Sequence, residues 1–161
     1  MKHLFFVVYN YSFGQTHISL YVEGEKQEWA YGDNGIKSYT VGKFDVEYPN
    51  IREAWYFSRL ISACLVPDDF SIEKYIEESK TIYTGENYHL LNRNCWMFAA
   101  NIIERADLKT YKDTMSMIYK ISDFEWNMCP YTTYIGFNAI KYMNFSYDYI
   151  KENINKCCCI K

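Results

Sequence analysis

The sequence predicts an α+β domain in which an antiparallel β-meander is packed against a helical half. Three observations carry that expectation. Strand-like runs separated by Gly, Asn and Asp turns fill roughly the first 48 residues. From residue 51 onward, apolar residues recur at helical spacing. With 161 residues, 49% of them apolar, the chain can bury one continuous core, so a single domain is expected.

The strands come first. Residues 4–9 (LFFVVY) form a β-rich run and 16–22 (THISLYV) a second. A turn at 23–26 (EGEK) leads into a third strand through 28–31 (EWAY). Another turn at 32–35 (GDNG) follows, and residues 37–48 are expected to supply one or two more strands. The opening run has the look of a secretory leader, but its apolar stretch is short and no small-residue cleavage site follows. A buried strand is expected there instead.

The period then changes. Over residues 51–65, Ala54, Trp55, Phe57, Leu60, Ile61 and Cys64 predict a helix that Pro67 stops. Residues 71–82 predict an amphipathic helix with the stripe Ile72, Tyr75, Ile76 and Ile82. After a turn at 84–87 (TGEN), residues 88–93 lead to Asn94, a good N-cap residue. Residues 95–105 then read as a third helix, with Trp96, Phe98, Ala99, Ile102 and Ile103 apolar. Further helices are expected over 111–121 and 134–154.

Composition excludes several functions. A net charge of -3, a pI near 5.6 and the lack of a dense Lys/Arg cluster argue against a nucleic-acid partner held by its phosphates. No run has the length of a membrane-spanning helix. Cys64, Cys95 and Cys129 are scattered, and Cys157, Cys158 and Cys159 are consecutive. Neither pattern is a disulfide framework or a Cys-x-x-Cys metal site. Free thiols in a reducing cytoplasm are expected, with no metal and no cofactor.

One cysteine has chemical promise. At the first turn of a helix, the Cys95 thiolate would meet the positive end of the helix dipole, which lowers a thiol pKa. Backbone N–H groups there can also stabilise an oxyanion. Such a nucleophile needs an imidazole within reach. His3 is at the chain start, His89 is in the approach to the helix, and His17 opens a strand. A strand histidine packed against a Cys-bearing helix is the papain-like arrangement, here with His before Cys. On the residues alone, a buried core cysteine and an ordinary strand histidine remain open readings.

Four ordered blocks add a resemblance. Residues 8–12 (VYNYS), 17–22 (HISLYV), 28–36 (EWAYGDNGI) and 85–95 (GENYHLLNRNC) resemble blocks of the PPPDE proteins, the deSUMOylating isopeptidases. Phe98 fills the aromatic place three residues after the nucleophile. The resemblance covers about two-thirds of the chain and implies a permuted papain-like thiol hydrolase. It implies Cys95 as nucleophile and His17 as base, acting on isopeptide or peptide bonds of ubiquitin or a ubiquitin-like modifier on a protein. A catalytic core over 1–108, a helical extension over 109–154 on the same domain, and a Cys-rich tail over 155–161 are then expected.

The family usually continues Asn-Cys-Asn-x-Phe-Ser, whereas this chain has Trp96, Met97 and Ala99. Trp96 and Trp29 are candidate cleft-lining residues, or core packing. Glu28 and Tyr31 are candidates for a third, orienting group, and Gln15 for an oxyanion donor. The same pair could serve a thioesterase or lipid acyl hydrolase or transferase on an acylated substrate, or the chain could be an inactive binding module. Cys157, Cys158 and Cys159 are candidate lipidation sites, which would give peripheral membrane association.

Overall fold

A computed structural model describes residues 1–11, 16–44 and 55–128. Alternation along the first strand, β1 (Lys2–Tyr11), creates two unlike faces. Leu4, Phe6 and Val8 are buried toward one side, and Val7 and Tyr9 toward the other. A strand apolar on both faces belongs in a sheet interior. It pairs antiparallel with β2 (Thr16–Val22). Next come β3 (Gln27–Gly32) and β4 (Gly35–Thr40), joined by a tight turn with Gly35 at φ +80. A final strand, β5 (Trp55–Val66), returns antiparallel to the other edge of β1. The order is β4-β3-β2-β1-β5.

The β5 strand corrects the helix expected over 51–65. It lies along the full length of β1, with register shifts between Leu4 and Phe5 and between Val8 and Tyr9. At each shift β5 carries one extra residue, the signature of a β-bulge, and this resets the two-residue alternation. Leu4 and Phe6 of the core face therefore pair with Cys64 and Ile61, which are three apart. That interval imitates a helix. The following helical expectations fare better, and the segments 45–54 and 134–154 lie outside the described residues.

Helices cover one face of the sheet. They are α1 (Glu73–Ser79), α2 (Cys95–Arg105) and α3 (Tyr111–Met128). Phe98, Ile102 and Ile103 of α2 pack with Ile18, Leu20 and Tyr31, and with Met115 and Ile118 of α3, in the main core. Burying such side chains stabilises by about 1.5–3 kcal/mol each, whereas a cap contributes about 1 kcal/mol. The apolar stripe therefore docks α2, and the cap decides where it starts. On the opposite face, Val7, Tyr9, Ala30, Tyr39 and Phe44 form a smaller cluster. Among the described residues no helix is long and apolar enough to cross a membrane.

Candidate active site

Cys95 is the first residue of α2 because Asn94 stops the helix there. Asn94 is extended (φ -116, ψ -178), and its Oδ1 accepts from the N–H of Trp96 at 3.0 Å and of Met97 at 3.1 Å. Its Nδ2 donates to the Leu90 carbonyl at 2.8 Å, which ties the approach loop to the helix tip. His89 tightens the same loop, with Nδ1 accepting from Leu91 N and Asn92 N, both at 3.3 Å.

The tip of α2 meets the edge of β2. Strands β2 and β3 pair at Leu20 with Trp29 and at Tyr21 with Glu28. Toward the start of β2, groups of the helix tip take that edge. Trp96 Nε1 donates to the Thr16 carbonyl at 2.9 Å, and the Ile18 N–H faces the Cys95 sulfur. Thr16 and Ile18 are two apart on an extended chain, so their main-chain groups point the same way. His17 lies between them.

The His17 ring lies on the smaller-cluster side of β2, opposite Tyr9 of β1. It stacks on Phe44, with ring centroids 4.2 Å apart and planes 8° apart. Its Nε2 is 3.3 Å from the hydroxyl of Ser19, a fully buried residue two positions along the strand. Phe44 is itself held: its N–H donates to Tyr9 Oη at 3.2 Å. Tyr9 donates in turn to Glu28 Oε2 at 2.8 Å, and Gly42 N donates to the same oxygen at 2.9 Å.

Burial governs the charges. The Cys95 thiol is pushed up to about 11 by desolvation, which outweighs the backbone N–H groups of Ile18, Cys95 and Trp96 that favour its anion. Burial likewise pushes the His17 imidazole down to about 3. The lowered thiol pKa expected from the helix dipole is therefore reversed, because loss of water costs an anion more than one helix end returns. Tyr88, near Cys95, is raised chiefly by burial and keeps its proton.

The remaining candidates are distributed as follows. Glu28 is buried and supports Phe44 through Tyr9, so its link to the imidazole runs through that ring. Tyr31 packs on the helix side of the sheet and donates to the Thr84 carbonyl at 2.9 Å, bracing the approach to Cys95. Trp96 is buried, with its indole edge-on to Tyr119, and Trp29 is partly buried against the main core. His3 pairs through Nδ1 with Ser62 Oγ at 2.7 Å. Burial is the first cause raising the Cys64 thiol. Gln15 and Cys157, Cys158 and Cys159 lie outside the described residues. Ser19 escaped the sequence reading; its signal was the i, i+2 spacing from His17, which puts both on one strand face.

The family described as "PPPDE putative peptidase domain" matches residues 3–131. The chain belongs to the PPPDE family. The PPPDE match runs from β1 through all of α3, so it includes both Cys95 and His17. No curated protein matches the chain. Membership in a PPPDE peptidase family supports a peptidase-like hydrolytic function.

Proposed function

We propose that the protein is a thiol hydrolase in which Cys95 attacks and His17 is the base, cleaving an isopeptide or peptide bond made by ubiquitin or a ubiquitin-like modifier. The observation that carries this reading is the helix tip on the edge of the His17 strand. The bond from Trp96 to Thr16 and the Ile18 N–H at the Cys95 sulfur bracket His17 from both sides in sequence. PPPDE membership supplies the peptidase class.

The buried pair starts neutral, since burial raises the thiol and lowers the imidazole. Proton transfer from sulfur to imidazole therefore accompanies attack and does not precede it. The sulfur bonds to the carbonyl carbon, and the C=O electrons move to oxygen. Backbone N–H groups of Ile18 and Cys95, beside the sulfur, support that oxyanion. The imidazolium then gives its proton to the leaving amine as the C–N bond breaks. Water, deprotonated by the same imidazole, hydrolyses the thioester and restores the thiol.

The test uses ubiquitin and ubiquitin-like modifiers carrying a C-terminal aminocoumarin amide, beside a fatty-acyl thioester. Turnover of an amide, abolished in Cys95→Ala and reduced at least about 100-fold in His17→Ala, is expected. Turnover of the thioester alone would reject the isopeptidase reading in favour of acyl hydrolysis. No turnover and no thiol labelling of Cys95 would identify a binding module.

A further inference from the structure

Two of its contacts orient the His17 ring. The stack on Phe44 sets its plane, and the 3.3 Å contact between Nε2 and Ser19 Oγ sets its rotation within that plane. We propose that Ser19 is the positioning residue of the Cys95–His17 pair, its hydroxyl oxygen accepting from Nε2–H and so holding the tautomer whose lone pair is on Nδ1. This rests on the reading of His17 as the base.

The tautomer matters because a neutral imidazole has one N–H and one lone pair, and only the lone pair can take a proton. The sulfur of Cys95 lies beside the Ile18 N–H, at the peptide that joins residues 17 and 18. Nδ1 is bonded to Cγ and is the ring nitrogen nearer the main chain. On this proposal Nδ1 serves the sulfur, while Nε2 is turned to Ser19. Were Ser19 to donate to Nε2 instead, the ring proton would be on Nδ1 and the base would be blocked where it is needed.

The same bond serves after proton transfer. When the S–H bond breaks and Nδ1–H forms, the imidazolium has two N–H groups, and Ser19 Oγ continues to accept from Nε2–H. A hydrogen bond to a charged donor is stronger than one to a neutral donor. Ser19 thus favours the charged form in a site that burial otherwise makes hostile to it. Its position is rigid, since it lies within β2 and pairs with Val7 of β1.

The experiment takes the full chain with ¹⁵N-labelled histidine and compares wild type, Ser19→Ala and Ser19→Thr. The ring ¹⁵N shifts report the tautomer, and iodoacetamide alkylation of Cys95 at neutral pH reports the base. Wild type is expected as the Nε2–H tautomer. In Ser19→Ala the two tautomers mix and Cys95 alkylation slows about tenfold, while Ser19→Thr, which keeps the hydroxyl, recovers most of both. An unchanged tautomer in Ser19→Ala, or the Nδ1–H tautomer in wild type, overturns the proposal. Alkylation as fast in His17→Ala as in wild type would overturn the base reading. The tautomer arm would then decide alone whether Ser19 holds Nε2–H.

Discussion

Trp96 donates its indole N–H to the Thr16 carbonyl at 2.9 Å, and the bond locks the tip of α2 against the strand that carries His17. The donor is the residue next to the candidate nucleophile and the acceptor is next to the candidate base. One side chain thus ties the start of α2 to the start of β2. It does so while buried, where the bond has little competition from water.

Trp96→Phe is therefore expected to lower both stability and turnover. The ring volume is partly kept, but the Thr16 carbonyl loses its donor, at a cost of about 1–3 kcal/mol. Urea denaturation measures the first effect. Amide turnover should fall with it, because the helix tip loses its register on β2. Unchanged midpoint and activity would mean that the tip is held elsewhere.

Asn94→Ala removes both the cap of α2 and its link to Leu90. The expected loss is about 1–2 kcal/mol. Asn94→Asp keeps the capping oxygen and loses only the donor to Leu90, so it should be the milder change. Comparing the two denaturation midpoints separates the cap from the loop tether.

Gly85→Ala is expected to destabilise by about 1–3 kcal/mol, through overpacking. A Cβ at Gly85 would lie 2.4 Å from the Asp33 carbonyl oxygen, a backbone atom of the β3–β4 turn. Neither segment can move without disturbing Tyr31, which donates to the adjacent Thr84 carbonyl. A wild-type midpoint for this variant would show that the two backbones part easily.

Stability should form a plateau between two losses. The His17 pKa is depressed on folding, from 6.5 to about 3, so its contribution is complete above 6.5. As pH falls below 6.5 the unfolded chain takes a proton that the folded chain refuses, and stability drops by up to about 1.4 kcal/mol per pH unit. The Cys95 pKa is raised from 9 to about 11, so stability is complete below 9 and declines as pH rises toward 11. Denaturation across pH should find the acid-side slope reduced in His17→Gln and the alkaline-side slope reduced in Cys95→Ala.

The sequence alone determined strands β1 to β4, the three helices that follow β5, and the residue at which α2 starts. Those features are local: the turn at Gly35 needs a positive φ, and Asn94 can cap α2 with its own side chain. It also carried the family, whose match covers residues 3–131. What it misread was β5, where two bulges against β1 turned an alternating strand into a helix-like pattern.

Only the tertiary structure decided the environment of Cys95 and His17. The helix dipole predicted an acidic thiol, but packing around Cys95 removed the water that would have stabilised its anion. Phe44 reaches His17 from beyond β4, and Ser19 becomes a partner only once the side chains of β2 take a common face. Caps and turns follow from neighbours in the chain, whereas desolvation and ring stacking arise from residues that meet only after the chain has folded.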